Sequence, residues 1–303
     1  MNRRRSAIVL TSIWSTATGR FSLIVMSCWL LVALLSLVWT PYSLWATDGF
    51  HVWQSPSWSH PLGTDGSGAD VLSWLMAGSA TNLLIVLLAV ILTAICGLLL
   101  VAAMLSSHLG LSQLAVVVID ALISLPTVLV ALILAVPFGP SIMVIVVACS
   151  FGYSLNLARI VRPQAMLVAR SAYVESALSN GASAGRVLMT HIVPNILPLL
   201  LVQLSMCAGT VILAESGLTY LGIGVPSSAA SWGHSLATSV KFINVYPLAV
   251  IWPGLVVTVV VVALNLFGDA LRDAVDPLEN PRLRNPSPAP SEKTQEAADV
   301  RES

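Results

Sequence analysis

Six long apolar stretches divide the chain, and segments rich in polar residues, proline or glycine separate them. A bilayer core about 30 Å thick requires about 20 helical residues, so each stretch predicts one membrane-crossing helix. Pro126, Pro198 and Pro253 fall within these stretches, where packed neighbouring helices can tolerate the lost hydrogen bond. The predicted spans are residues 21–39, 83–105, 114–136, 141–158, 196–214 and 248–268. The pattern predicts an all-α integral membrane protein with a six-helix domain over residues 21–280.

Composition supports a membrane protein. Apolar residues make up 56% of the chain, charged residues 9%, and the mean hydropathy is +0.87, whereas soluble domains have about 45–50% apolar and about 25% charged residues. The net charge of zero gives no support for binding to nucleic acid. The cysteines lie in apolar runs without metal-ligand spacing, which favours core residues over disulfides or a metal site. They are Cys28, Cys96, Cys149 and Cys207.

The basic residues orient the predicted helices. Of the 14 Lys and Arg residues, only Lys241 lies outside the N-terminal segment 1–20, the loop 159–195 and the region after the sixth span. With six spans these three regions share one side, which the positive-inside rule assigns to the cytoplasm. Both termini are then cytoplasmic, and segments 40–82 and 215–247 are external. Residues 281–303 are rich in proline and charge and predict a disordered cytoplasmic tail.

The loop 159–195 carries helical signals. Val174, Ala177 and Leu178 recur at helical spacing and form a narrow apolar face. Gly181 follows an asparagine and can end this helix in a left-handed conformation. Ser183 can cap a second short helix before Pro194 leads into the fifth span. The pattern therefore predicts two short helices joined by a sharp bend at the membrane surface.

Such a hairpin has two interpretations. It can pack against its own bundle, or it can fit a groove on another protein. Glu175 favours the second interpretation slightly, because it lies mid-helix without an obvious partner four residues on.

Four groups of residues resemble one transporter family. The run from Glu175 through Gly181 to His191 and Pro194 resembles the EAA loop of ABC-importer permeases, although Ser176 replaces the usual alanine. Segment 60–73 resembles the external motif of dipeptide and oligopeptide permeases of the DppC/OppC type, with Ala69 in place of a common arginine. Segments 215–233 and 265–273 resemble the family's later motifs. The resemblance covers residues 21–280.

The resemblance implies a type I ABC-importer permease fold and a subunit that supplies half of a translocation path. Its implied partners are a second, homologous permease in a heterodimer, two ABC ATPase domains, an extracytoplasmic substrate-binding protein and the lipid bilayer. ATP and Mg²⁺ would bind the ATPases, and no cofactor would bind this chain. The residues implied to form the ATPase-coupling loop are Tyr173, Val174, Glu175, Ser176, Ala177, Leu178, Gly181, Ala182, His191 and Pro194.

Further candidates lie outside this loop. Asp65 and Gly66 suit a turn that caps a short helix near residues 70–76, which begins at Asp70. The alternative is that Asp65 and Asp70 contact the binding protein. Glu215 and Trp232 have the same two interpretations, and His234 is expected at the surface. Asp120 lies within a predicted span, where it either bonds to a neighbouring helix or loop arginine or belongs to a pathway.

Two other classes of protein remain as alternatives. A proton-coupled transporter usually needs carboxylates near the midplane and often inverted repeats, and neither is evident. An intramembrane hydrolase would need a Ser/His or paired-Asp arrangement, which is also not evident. The sequence contains no Gly-rich phosphate loop followed by Lys, so ATP hydrolysis is not expected from this chain. Related permeases carry nickel complexes, haem or other small solutes, so the substrate stays open.

Overall fold

The computed structural model describes residues 3–106 and 108–275. Within that part the chain is helical, apart from loops and one isolated β-bridge between Thr64 and Asp70. The predicted tail 281–303 lies outside the described residues. The helices are α1 Arg3–Ser15, α2 Ala17–Ser36, α3 Val71–Met104, α4 Leu109–Ile123, α5 Thr127–Phe138, α6 Ile142–Ala169, α7 Ala172–Ser179, α8 Ala184–Val187, α9 Val193–Tyr220, α10 Trp232–Val240 and α11 Leu248–Val275.

Five helical stretches of the described chain are long and apolar enough to cross a membrane. A bent pair of helices, α4 and α5, raises the number to six if the pair counts as one span. The all-α membrane fold is thereby confirmed, whereas the predicted number of six spans holds only if this bent pair crosses as one span. The five stretches are Ala17–Ser36, Val71–Met104, Ile142–Ala169, Ala184–Tyr220 and Leu248–Val275.

The prediction of a continuous third span over residues 114–136 is wrong. The chain bends by 86° between α4 and α5. Pro126 stands at the bend in an extended conformation, with φ −61° and ψ 130°. Proline lacks an amide hydrogen and disfavours helical geometry in the residue before it, so the helix ends instead of continuing. Pro198 and Pro253, in contrast, lie inside α9 and α11 as predicted.

Helices α3, α6, α9 and α11 are longer than hydropathy predicts, and in α3 and α6 the extension changes where candidate residues lie. The predicted external helix near residues 70–76 is the first part of α3 and is continuous with the span. The fourth span continues to Ala169, so Arg159 and Arg162 lie on α6 instead of in a loop. Backbone hydrogen bonding does not stop where apolar composition stops, which explains both differences.

The spans pack closely, with a separate buried cluster towards each end of the bundle. A Cβ atom on Gly97 of α3 would lie 2.6 Å from Leu157 Cδ2 of α6, so a larger residue there would require the Leu157 side chain to shift. One buried cluster surrounds Leu75 and Trp232. A second surrounds Val101 and Val174. The candidate residues therefore fall into two groups, each supported by its own core.

Candidate functional site

The end of α7 forms the predicted sharp turn. Gly181 has φ +82°, a left-handed conformation that glycine adopts without steric cost. The Ala182 amide donates to the Ala177 carbonyl at 3.0 Å, and the Gly181 amide donates to the Leu178 carbonyl at 2.9 Å. These two bonds form a Schellman motif, which satisfies the last carbonyls of the helix. The turn is therefore closed by its own backbone.

The apolar face of α7 packs against the bundle. Val174 is 1% exposed and belongs to the same buried cluster as Val187 and Val101, with Ala177 packed beside it. Leu178, which the sequence placed on this face, is 48% exposed. The interpretation in which the loop packs on its own protein thus holds for one side of the helix.

The other side of α7 is free for contact. Tyr173 is 48% exposed, and Glu175 and Ser176 are also exposed. Glu175 lies in the first turn of α7, where a negative charge is favourable beside the helix dipole. In the part of the chain that the structure describes, its carboxylate has no hydrogen-bond or ion-pair partner. Leu178 and Glu175 thus present an apolar and an anionic group on one small surface.

The predicted second helix is not a separate element. Ser183 caps α8 as predicted, since its side chain accepts from the Arg186 amide at 3.4 Å. However, α8 continues through a π-helical turn, Leu188–Ile192, directly into α9. Pro194 lies directly after this π-helical turn, near the start of α9. The separation expected before Pro194 is wrong, and residues 184–220 form one continuous helical stretch.

His191 joins α7 to this stretch. Its ring centroid lies 5.9 Å from that of Tyr173, with the two ring planes inclined at 57°. The contact brings together the two ends of the predicted motif. The structure thus gathers the sequence candidates of the coupling loop around α7 and the π-helical turn.

The external turn at Asp65 is stabilised by its own side chain. Asp65 Oδ1 accepts from the Ser67 amide at 2.8 Å, the Ser67 hydroxyl at 2.7 Å and the Ala69 amide at 2.9 Å. Such bonds are typical of an aspartate turn. They favour the structural interpretation of Asp65.

Asp70 caps α3. Its Oδ2 accepts from the Ser73 amide at 2.8 Å and the Ser73 hydroxyl at 2.7 Å, as expected of an N-cap residue. Its Oδ1 lies 2.9 Å from His60 Nδ1. Asp70 is buried, so its contacts also favour the structural interpretation.

Glu215 is not in an external loop, as the sequence suggested, but inside α9 and 0% exposed. Asn82 Nδ2 donates to Glu215 Oε2 at 3.0 Å, and the Thr219 hydroxyl donates to Oε1 at 2.9 Å. The Ser216 hydroxyl lies 3.2 Å from Oε2. Buried carboxylates need such partners. Asn82 was missed by sequence reasoning, because nothing local marks its partner on another helix.

Trp232, on α10, packs near Glu215 and Asn82 and against α3. It is 0% exposed, and its Nε1 donates to the Leu75 carbonyl at 3.0 Å. Its ring centroid lies 5.7 Å from that of Trp29. We call Asn82, Glu215, Thr219 and Trp232 the external brace, because together they tie α3, α9 and α10 to one another.

The two external segments enclose a cavity of about 380 Å³. Its lining includes Trp45, Trp53, Trp74, His234 and Phe242. Tyr246 reaches across the segments and donates from its hydroxyl to the Gln54 carbonyl at 3.0 Å. The expectation that His234 lies at the surface holds only in part, because it is half-buried and stacks against Trp74 at 6.3 Å.

Asp120 has an arginine partner. Asp120 Oδ1 lies 3.7 Å from Arg159 Nε, and both side chains are about half exposed. This ion pair agrees with the interpretation in which an arginine accompanies Asp120. All four cysteines are free thiols. Among residues 3–106 and 108–275, no three His, Cys, Asp or Glu side chains form a group that could hold a metal ion.

Comparisons with known proteins agree with the resemblance. Residues 100–280 match the family described as "Binding-protein-dependent transport system inner membrane component". A probable peptide ABC transporter permease protein of Sinorhizobium fredii is 38% identical over 234 residues, which cover 76% of this chain and 79% of that protein. A Brucella suis protein provisionally named as a peptide permease is 33% identical over 259 residues, covering 85% and 86%.

A third relative, from Brucella abortus, is provisionally named as a permease protein of a peptide transport system. It is 34% identical over 255 residues, which cover 82% of this chain and 85% of the relative. The family match spans more than half of the chain, and the relatives match over most of it. The chain is a multi-pass membrane protein that belongs to the family of inner membrane components of binding-protein-dependent transport systems.

Proposed function

We propose that this chain is a permease subunit of an ATP-driven importer for di- or oligopeptides. The family and the peptide permeases among its relatives support this assignment. In the proposed complex, the chain pairs with a second, homologous permease, and each forms half of the path. Two ATPase subunits bind at the cytoplasmic face, hydrolyse ATP and hold its Mg²⁺. A binding protein delivers the peptide from outside.

The geometry of α7 is the observation that carries the coupling role. Val174 anchors one face of the helix in the bundle, while Leu178 and Glu175 stay exposed on another. The Schellman turn at Gly181 gives the element a fixed end. A rigid, anchored helix can transmit a displacement from a bound ATPase to α6 and α9. Alternating access requires such transmission between two packed arrangements.

The orientation follows from charge. In a six-span topology the N-terminal segment, the coupling loop and the C-terminal region share one side, and that side carries nearly all of the lysines and arginines. We therefore assign this side to the cytoplasm. Segments 40–82 and 215–247 then face outward, towards the binding protein.

The proposal is tested by transport in proteoliposomes that contain this chain, its partner permease and the ATPases, with the binding protein outside. Peptide should accumulate only when ATP is present inside. Accumulation driven by a pH gradient without ATP would instead support a proton-coupled transporter. Uptake by this chain alone would also contradict the proposal. A parallel binding assay on the binding protein, with peptides, a nickel complex and haem, identifies the cargo.

A further inference from the structure

A second cavity, of about 210 Å³, opens between α3, α6 and α9. Five polar side chains contribute to its lining, which are Thr93, Tyr153, Asn156, Gln203 and Thr210. Gln203 lies ten residues after the start of α9 at Val193, which is roughly 15 Å along the helix axis. Gln203 also falls within the apolar segment 196–214, the fifth predicted span.

Gln203 is the informative member of this group. In the part of the chain that the structure describes, its side-chain amide has no hydrogen-bond partner, and the residue is half-buried. Polar side chains at membrane depth are costly, and they face the bundle interior or a water-filled cavity. The free amide of Gln203 is therefore available to a ligand that enters this cavity.

The neighbouring polar groups are held in fixed positions by α6 and α9. The Tyr153 hydroxyl donates to the Thr210 carbonyl at 3.2 Å, which links the two helices. Asn156 Nδ2 donates to the Gly152 carbonyl of its own helix at 2.9 Å. Asn156 and Thr210 are exposed, so these groups are reachable from the open side of the cavity.

The lining contains no Asp, Glu, Lys or Arg. The nearest charged side chain in sequence, Arg159, is directed to Asp120. An amide, a phenol and a hydroxyl can each donate or accept a hydrogen bond. A peptide main chain offers one amide donor and one carbonyl acceptor for each non-proline residue, whatever its side chains. An uncharged polar lining thus suits a ligand that is recognised by its main chain.

We propose that Tyr153, Asn156, Gln203 and Thr210 form a peptide groove, in which Gln203 hydrogen-bonds to the main chain of a peptide in transit. The inference rests on the proposed function and adds the part of the path that this chain supplies. It also predicts weak selection by the permease for the charge of the peptide's side chains. The alternative occupant is a helix of the partner permease, which would bury the same amide.

The test measures uptake of Ala-Ala-Ala, Ala-Lys-Ala and Ala-Glu-Ala by the complete importer in proteoliposomes. The binding protein is the same in every assay, so the ratio of variant to wild-type rates isolates the permease. In Gln203→Leu, kcat/KM should fall about tenfold for all three peptides alike, because one hydrogen bond is lost. In Gln203→Glu, the Ala-Lys-Ala rate should rise relative to the Ala-Glu-Ala rate.

The matched control is Ser205→Ala. Ser205 lies on the same helix, donates to the Leu201 carbonyl at 2.9 Å and does not line the cavity. It should keep wild-type uptake. If both Gln203 variants kept the wild-type uptake rate and the wild-type preference for peptide charge, the proposal of a peptide groove would be wrong. Loss of the partner permease on purification of Gln203→Leu would instead assign the surface to the subunit interface. Failure of the wild-type importer to transport any of the peptides would refute the proposed function itself.

Discussion

Asn82 donates from Nδ2 to Glu215 Oε2 across 3.0 Å, although the two residues are 133 positions apart in the chain. Asn82 lies on α3 and Glu215 on α9. Both are fully buried, so water cannot replace either partner. The bond therefore fixes the relative position of the two helices in the external brace.

Separate removal of these two side chains should show strong coupling. Asn82→Ala and Glu215→Ala are each expected to destabilise the purified complex by about 1–3 kcal/mol, because each leaves a buried polar partner unsatisfied. The double variant should cost less than the sum of the two. Thermal unfolding of the three variants gives the coupling free energy, which we expect at about 0.5–3 kcal/mol.

Thr258→Ala is the control for this cycle. Its hydroxyl is exposed and bonds only to Gly254 of its own helix, at 2.7 Å. It should change stability by less than either variant of the brace. Additive effects of Asn82→Ala and Glu215→Ala would show that the bond does not hold α3 to α9.

Gly181→Val should impair the coupling turn. A Cβ atom there meets no heavy atom within 4 Å, but φ is +82°, so the cost is conformational and of the order of 1–2 kcal/mol. We expect about tenfold lower peptide uptake and a loss of peptide-stimulated ATP hydrolysis, with normal membrane insertion. Gly181→Asn should lose less, because asparagine tolerates this conformation.

Gly185→Ala is the matched control in the same loop. Gly185 lies in α8, its surroundings are equally open, and its φ is not positive. Alanine there should leave uptake unchanged. Wild-type coupling in Gly181→Val would mean that the Schellman turn is not needed for transmission.

Glu175→Lys should weaken coupling between the transporter and its ATPase. The substitution reverses the charge on the exposed face of α7 and places a cation in the first helical turn, where the dipole disfavours it by about 0.3–1 kcal/mol. We expect lower co-purification of the ATPase and lower uptake. Glu175→Gln keeps the shape of the side chain without its charge, so its ATPase co-purification and uptake should lie between those of the wild-type protein and Glu175→Lys. Equal ATPase binding by all three proteins would remove Glu175 from the docking surface.

His234 should make the stability of the external segments depend on pH. Burial, with a smaller effect from the charge of Lys241, lowers the pKa of His234 below its ordinary value of 6.5. When the pH falls below about 6.5, the unfolded chain takes up a proton that the folded protein resists, so folded stability decreases and levels off below the lowered pKa. Thermal unfolding midpoints should therefore drop between about pH 7.5 and about pH 5.5.

His234→Gln removes this ionisation and retains a polar side chain. Its midpoint should fall less than that of the wild-type protein over the same range. An identical decrease in both proteins would assign the pH dependence to other groups.

Local signals in the sequence predicted local structure well. The Asn-Gly pair predicted the turn at Gly181, and Ser183 was correctly placed as a cap. Glu215 was misplaced because a charge that follows an apolar run looks like the end of a span. Its burial depends on Asn82, which no nearby residue specifies. The break at Pro126 was hidden for a similar reason, since prolines inside spans are often tolerated.

One helical stretch, residues 184–220, begins beside the Schellman turn at Gly181, where we propose that the ATPase binds, and ends beside Thr219 of the external brace. Its length is roughly 55 Å at about 1.5 Å per residue. In the proposed complex, ATP hydrolysis on one side of the membrane and peptide delivery on the other thus act on opposite ends of the same helical stretch. Thermodynamic reciprocity then applies. If ligand binding at the external end changes the affinity of the chain for the ATPase by some factor, ATPase binding must change the affinity for that ligand by the same factor.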